Sequence, residues 1–532
     1  MCGFLVITGE HDPKDQTFQE SLQSIQYRGP DNTTIEKLEN GSIMAFHRLS
    51  IRDLSDNGNQ PFLSNNKKVS MVCNGEIYNY TELKTDYIKK YEFQSSSDCE
   101  VIIPIFQDHG IEILSKSLDA EYAFVLYDSS TNEFFAARDP IGIRPMFYGY
   151  HKSNGEICFA SEAKALTDLC NDVSAFPPGH YYADGKFHEY YDVTHVEEVD
   201  KRGLDEVCES IHDNLVEAVK KRMVSDRPVG FLLSGGLDSS LVCSIANRLT
   251  DHKIVTFAIG INENPIDTKY AKVVADYLES DHHEVLFTRE EMLESLEELI
   301  YKLETWDITT IRASVGMYLL CKYIKEKTDI RVILTGEVSD EIFGYKYTDF
   351  APSPSEFQKE ATKRVKELYM YDVLRADRCI SSNSLEARVP FSDKTFVNHV
   401  MSIDPKMKMN SYGQGKYILR KAFEGKDYLP DEILFREKAA FSDAVGHAMV
   451  DTLKAVADEK YSDEDVIKAK EKYSHGTPFT KESLMYREIF ERVFEDKSHL
   501  IKDFWMPNKE WENCDVDDPS ARALPNYGAS GS

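Results

Sequence analysis

The chain has 532 residues, 42% hydrophobic and 29% charged, a length beyond what a single core supports and a composition ordinary for a soluble fold of two domains. Its 91 acidic against 62 basic residues leave a formal net charge of −29, which opposes nucleic-acid backbones and anionic membranes, and no basic run overrides it. An unbroken apolar run of membrane-spanning length is absent, which excludes a membrane helix; the first twenty residues carry acids and no apolar core, which argues against a secretory signal; and the ten cysteines form no C-x-x-C pair, which gives no support to a zinc site and points to the cytoplasm.

The chain opens MCGFL. Removal of Met1 would leave Cys2 with both a thiol and a free α-amine, a nucleophile carrying its own base near working pH. Taken alone, Cys2 reads more readily as an inert buried thiol than as a nucleophile. As far as about residue 165, short apolar runs broken by turn chemistry, such as VSMVCNGEIYNY and AEYAFVLYDSSTNEFFAARD, predict strands and hairpins. Between Pro177 and Arg202 the sequence becomes polar and turn-prone, which places the domain junction there.

Beyond it the pattern changes. VGFLLS, IVTFAIG and RVILTG each end at Gly or Ser, and Met292, Leu296, Leu299, Ile300 and Leu303 recur at helical spacing between two of them. Strand and helix in alternation predict a parallel sheet covered on both faces. SPSE (353–356) predicts a helix start with Ser353 as cap, Pro354 in the first turn and Glu356 closing a capping box. The stretch from DFWMPNKEW to the end reads as a loosely held tail.

FLLSGGLDSSLVCSIANRL (231–249) carries the strongest local signal: a buried strand, a glycine-rich turn and an amphipathic helix in succession. Backbone amides, the hydroxyls of Ser234, Ser239 and Ser240, and a helix N-terminus suit phosphate oxygens; the lysine of a Walker loop is missing. A second acidic cluster, LTGEVSDE (334–341), ends another strand.

SGGLDSS resembles the pyrophosphate loop of ATP pyrophosphatases, which split ATP between its α and β phosphates and form an acyl-adenylate. QYRGPD, FHRLSIRD, NGEIYN, SSDCE and RDPIGIRP resemble the glutaminase domain of class II amidotransferases. Joined on one chain, and with ETWDITTIRASVGMYL, YMYDVLRADR, EARVPFSDK and REKAAFSD following in order, they resemble the glutamine-hydrolysing asparagine synthetases over nearly the whole length. The resemblance implies an α+β N-terminal-nucleophile sandwich over 2–200, an α/β parallel-sheet pyrophosphatase domain with added helices over 201–525, and a flexible tail over 526–532.

It also implies roles. Cys2 would attack glutamine, with Asn74 and the Gly75 N–H as oxyanion hole. Arg48 would pair with the glutamine carboxylate and Asp98 and Glu76 with its α-amine, with Leu49, Ser50, Ile51 and Arg52 in the same pocket. ATP would lie on Leu233, Ser234, Gly235, Gly236, Asp238, Ser239, Ile259, Thr335, Gly336 and Lys438, with Mg2+ on Asp238 and Asp340. Aspartate and its adenylate would meet Thr310, Arg312, Asp340, Glu341 and Arg388; Arg312 and Lys438 would stabilise phosphate charge, and Glu337 would manage protons or charge. Ammonia would cross between the domains through a passage shielded from water. Glutamine, aspartate and ATP are the expected partners, nucleic acid and membrane are not, and a homodimer is compatible with the sequence.

One position departs from the family pattern Gly-Glu-Gly-Ser-Asp-Glu: here it reads GEVSDE, with Val338 in place of the second glycine, and the following FGYKY is one residue short. A β-branched residue costs about a kcal/mol or more if that position has positive φ. Two other readings compete: a cyclising relative similar to β-lactam synthetases, and a non-catalytic glutamine or nucleotide sensor. Cys2 with the full glutamine pocket weighs against the first, and intact Cys2, Asp238 and Glu337 against the second.

Overall fold

The computed structural model describes residues 1–262, 266–437 and 447–527. It divides into two compact units, one of Met1–Val193, Ser225–Pro228 and Ser381–Glu386, the other of Thr194–Val224, Val229–Ile380 and Ala387–Ser532.

The first unit carries two six-stranded sheets. Its strands are β1 (Gly3–Ile7), β2 (Asn32–Lys37), β3 (Ile43–Arg48), β4 (Phe62–Leu63), β5 (Val69–Ile77), β6 (Ala120–Asp128), β7 (Glu133–Arg138), β8 (Phe147–His151), β9 (Ile157–Ala160), β10 (Cys170–Ala175), β11 (His180–Ala183) and β12 (Lys186–Glu189). One sheet runs β10-β8-β9-β1-β3-β2 and the other β12-β11-β7-β6-β5-β4.

Alternation along β5 shows how they pack. Val72 joins Phe4, Val6, Met44 and Phe46 in the core between the sheets. Met71, Cys73 and Ile77 face the opposite way, against Ile102, Ile103 and Phe106 of helix α1 (Ile102–Ser117). Side chains two apart share a face of a strand, so Asn74 points the way Val72 does, toward β1 and the residue before it, Cys2.

The second unit holds the predicted parallel sheet, in the order β15-β14-β13-β16-β17. Its strands are β13 (Val229–Leu232), β14 (Val255–Ile261), β15 (Asp281–Phe287), β16 (Val332–Leu334) and β17 (Glu386–Arg388). The three apolar runs became β13, β14 and β16, central strands whose two covered faces call for continuous apolar sequence. Neighbours β13 and β16 run parallel, Phe231 opposite Leu334, so the glycine-rich turn and the acidic cluster leave the same end of the sheet side by side. The helices used below are α2 (Leu204–Arg222), α3 (Leu237–Arg248), α4 (Arg289–Leu303), α5 (Ile308–Lys327), α6 (Ser339–Phe343), α7 (Pro354–Glu367), α8 (Asp372–Ser381), α9 (Tyr417–Phe423) and α10 (Lys481–Val493). Met292, Leu296, Leu299, Ile300 and Leu303 are all buried on α4, as their spacing predicted.

Two local expectations need correction. Ser353 does cap α7, its Oγ accepting from the Glu356 N–H, but the Glu356 carboxylate is paired with Lys359 at 2.6 Å. The stretch after Asp503 is not loosely held: Trp511, Cys514 and Leu524 are buried in a cluster with Tyr347 and Phe357, and Asn526 bonds Asp349 and the Lys346 carbonyl. Aromatic burial outweighs the polar composition that suggested a free end. Residues 528–532 lie outside the described residues. Among the described residues no helix is long and apolar enough to cross a membrane, and all ten cysteines are free thiols.

Candidate active sites

The first site forms where the strand register brings chain-distant groups onto Cys2. Gly3 of β1 lies opposite His47 of β3, which sets Arg48 and Leu49 beside Cys2. The Cys2 sulfur is 3.4 Å from the Leu49 N–H and 3.7 Å from the Leu49 carbonyl. From the facing sheet, Asn74 accepts the Cys2 backbone N–H on Oδ1 at 3.0 Å. Its carbonyl oxygen thus engaged, the Asn74 Nδ2 is buried with no hydrogen-bond partner. A buried amide donor left unpaired costs about 1–3 kcal/mol. Such a donor is what an oxyanion hole requires, aimed and idle until charge develops beside it. Next to it Gly75 faces Tyr122 of β6, and a Cβ there would lie 2.9 Å from the Glu121 carbonyl, so the two strands approach this closely only over glycine.

Met1 is itself buried: its amine donates to the Leu385 carbonyl at 3.3 Å and its sulfur meets the Arg144 guanidinium. Burial pulls that amine down to about 5, against the attraction of Glu386. Burial pushes the Cys2 thiol up, only partly offset by the nearby amine and the Leu49 backbone. Arg28 anchors the start of β1, its Nε on the Cys2 carbonyl and its NH1 on Glu162 and Ser381.

Arg48 and Arg52 are engaged by different groups. The Arg48 fork is spent on its own loop, NH1 on Ser55 O at 2.7 Å and Asn59 Oδ1 at 2.9 Å, NH2 on Asp53 O and Arg52 O. Arg52 instead bonds Glu76 at 3.3 Å and the Tyr80 hydroxyl at 2.8 Å, with its guanidinium over the Tyr80 ring, and its Nε is buried without a partner. Burial works against its charge, but Glu76, then Asp98, hold it above its ordinary value. Asp98 accepts the Ile77 N–H at 2.6 Å, and burial raises its carboxyl. Arg52 with Glu76 and Asp98 offers both signs that an α-amino acid zwitterion needs. Ser50 and Ile51 shape the wall through the backbone: Asp31 holds the Ser50 N–H, Arg227 its carbonyl, and Ile51 O accepts from Asp226.

The second site is a cavity in the second unit at the ends of β13, β14 and β16. Leu233, Ser234, Gly236, Asp238, Ser239, Ile259, Thr335 and Gly336 line it together with Glu337, Asp340, Glu341 and Arg312. The turn closes as its composition predicted. Gly235 holds φ +72°, with a Cβ there only 2.4 Å from the Ala271 nitrogen, and the Ser234 hydroxyl joins that of Ser239, in the first turn of α3, at 2.9 Å. Gly235 is not on the wall; its carbonyl accepts from Arg436, which is.

Three expected residues do other work. Thr310 is off the wall, its N–H and hydroxyl both on Asp307 at 2.8 Å as part of the α5 cap. Arg388 is fully buried, donating to Arg222 O and Val224 O where α2 ends. Arg312 lines the cavity, but Glu482 takes its Nε and NH2 and Asp518 its NH1, so two carboxylates already neutralise the cation expected to face phosphate. Lys438 lies outside the described residues.

Two cations that sequence reasoning missed, Lys416 and Arg375, line the cavity. Lys416, at the start of α9, reaches Asp238 Oδ1 at 2.8 Å, Asp340 Oδ1 at 2.5 Å and Ser339 Oγ at 3.0 Å. Arg375 of α8 pairs with Glu337, and with Asp372 at 2.9 Å. A lysine in the turn SYGQGK and the arginine of YMYDVLRADR were the available signals. The Glu341 carboxyl is raised well above its usual range by burial, then by Asp372, Asp340 and Glu337. Because Asp238 and Asp340 already converge on one point of positive charge, the pair also suits Mg2+, which takes one or two carboxylates and fills its shell with phosphate oxygens and water.

The sequence matches a model of the glutamine amidotransferase domain over residues 1–200 and one of asparagine synthase over 210–356 and 349–517. It is 40% identical to a probable glutamine-hydrolyzing asparagine synthetase of Dictyostelium discoideum, covering 98% of each chain. The chain belongs to the glutamine-hydrolysing asparagine synthetases. Other members of the family are as similar: 41% identity to the probable enzyme of Acanthamoeba polyphaga mimivirus over 95% of this chain and 96% of that one, and 39% to the Zea mays enzyme over 99% and 94%. Among solved structures, a Bacillus subtilis glutamine phosphoribosylpyrophosphate amidotransferase matches at TM-score 0.31 and 15% identity, covering 63% of this chain and 81% of that one, too distant to carry weight.

Against the synthetase pattern, Val338 stands out. It occupies φ +79°, ψ −22° ahead of α6 and is 1% exposed, so the glycine of the family pattern stands at a left-handed position that this chain fills with a β-branched residue. The backbone cost is about 1–3 kcal/mol and the buried isopropyl group returns about as much. Val338→Gly is therefore expected to leave stability within about 1 kcal/mol, while Val338→Ala, which loses the packing and keeps the strain, falls about 1 kcal/mol below it. Urea denaturation of the three proteins checks the order, which inverts the usual preference for alanine.

Proposed function

We propose that the chain makes asparagine from aspartate, ATP and glutamine, releasing AMP, pyrophosphate and glutamate. The observation that carries this reading is end-to-end similarity, at about 40% identity, to enzymes named for that reaction, in a chain that retains Cys2 and the phosphate turn.

Cys2, freed of Met1, attacks the side-chain amide carbon of glutamine. The buried Asn74 Nδ2 and the Gly75 N–H stabilise the oxyanion, ammonia leaves and water releases glutamate from the thioester. Arg52 holds the substrate carboxylate and Glu76 and Asp98 its amine. Arg48 is a positioning residue that gathers the 52–59 loop around them. In the second site the β-carboxylate of aspartate attacks the α-phosphorus, and pyrophosphate departs against the 234–240 turn and Lys416. Mg2+ bound by Asp238 and Asp340 supplies further neutralisation of the departing charge. Arg375 holds Glu337 at the edge of the acyl site, with Glu341 on the same wall. Ammonia then displaces AMP from the aspartyl carbon. It reacts only as the free base, so its transfer calls for shielding from bulk water.

Incubation with glutamine, aspartate, ATP and Mg2+ tests the reading: asparagine, AMP and pyrophosphate should form in equal amounts. ADP in place of AMP, or glutamate without asparagine, refutes it. A cyclising or purely sensing role has no observation in its favour.

A further inference from the structure

Part of the wall of the synthetase cavity comes from the far end of the chain. Pro519, Ser520 and Ala521 line it, beside Arg312. One carboxylate, just before them in the chain, helps to seat them there. Asp518 Oδ1 accepts Arg312 NH1 at 2.8 Å and, on the same oxygen, the Ser520 N–H at 2.8 Å. Its other oxygen meets Lys454 of a neighbouring helix. Arg312 cannot swing to follow a moving tail, because its Nε and NH2 are clamped on buried Glu482. A planar guanidinium so held offers its remaining nitrogen in one direction only. The ion pair holds the start of this wall through a shared oxygen, Arg522 on Asp451 and buried Leu524 hold it farther along, and Ser520 and Ala521 between them are both buried.

We infer that Asp518 is a positioning residue that seals the acyl-adenylate from water. The inference rests on the asparagine synthetase reading. An aspartyl-adenylate reached by water is hydrolysed: water oxygen bonds the acyl carbon, the acyl–phosphate C–O bond breaks, AMP leaves, one proton is released, and aspartate is regenerated with ATP consumed for nothing. A seated wall excludes that water, so loosening it uncouples AMP formation from asparagine formation.

The ratio of AMP to asparagine, measured with the full chain, reads this directly. The wild type should give a ratio of one. Asp518→Asn, which drops the charge and keeps the shape, should raise it at least about threefold, Lys454→Met by less, and Asp518→Glu should stay near one. Glutamine hydrolysis at Cys2 in the same samples, unchanged, reports a folded chain. If Asp518→Asn loses all synthesis, Lys454→Met decides, since Lys454 is half exposed and tolerates replacement. A ratio of one in Asp518→Asn, or in Lys454→Met when the first is silent, overturns the inference. A wild type that forms no AMP overturns the proposed function instead.

Discussion

Cys2→Ala is expected to abolish glutamine-dependent asparagine synthesis while leaving synthesis from added ammonium salt intact. The sulfur is the sole nucleophile placed between the Leu49 backbone and the Asn74 amide, and losing a nucleophile costs about 10⁴-fold or more, because oxyanion donors alone cannot cleave an amide. The effect on the second site should be nil, since its phosphate turn, carboxylates and lysine are all contributed by the second unit. Steady-state rates with each nitrogen donor check this. Residual glutamine use in the variant would mean that another group attacks; loss of both activities would mean that the substitution acts on folding. The same logic applies to Met1. Its buried amine and its bond to Leu385 put the Met1–Cys2 peptide beyond the reach of an aminopeptidase once the unit has folded. A chain purified with Met1 in place should therefore behave as Cys2→Ala does, which intact-mass measurement paired with the two assays reveals.

Lys416→Met carries the second large effect. One ammonium serves Asp238 and Asp340 at once, and Met at this position meets the same left-handed backbone, φ +57°, that Lys416 already adopts. Without it two carboxylates face each other beside the phosphate turn. Breaking a buried pair by removing one partner costs about 3–5 kcal/mol, and the partial exposure of Asp340, 29%, puts this site at the lower end. The chemical loss is separate: a cation missing from the departing pyrophosphate costs about 10²–10³ in rate. Aspartate-dependent exchange of labelled pyrophosphate into ATP should therefore fall by about 100-fold or more, with glutamine hydrolysis retained. Lys416→Arg should recover little, because a planar fork cannot occupy the point on which three oxygens converge. Exchange within about tenfold of wild type in Lys416→Met would remove the lysine from the pyrophosphate site.

Much of the second site was legible because its demands are local. A strand, a turn with Gly235 at positive φ and a helix directly after it lie within about twenty residues, and each part is dictated by residue types next to one another. The strain at Val338 was visible on the same ground, as a β-branched residue where the pattern calls for glycine. Cys2 and Asn74 could be named too, but the face on which they meet depends on the parity of β5 and the pairing of β1 with β3.

The ionic bookkeeping was not legible. Arg48 and Arg52 are four residues apart and equally basic; which one keeps an open donor depends on carbonyls that the 52–59 loop turns inward. Arg312 reads as a free cation until Glu482 and Asp518 arrive from 170 and 206 residues away, and Lys416 crosses 178 residues to reach Asp238. By itself the sequence determined the backbone at the turns, the alternating element pattern and the family, because those follow from short-range sterics and periodicity. Only the tertiary structure decided which charges are spent and which remain for substrates, because burial and distance set the strength of an ion pair and neither exists until the chain has folded.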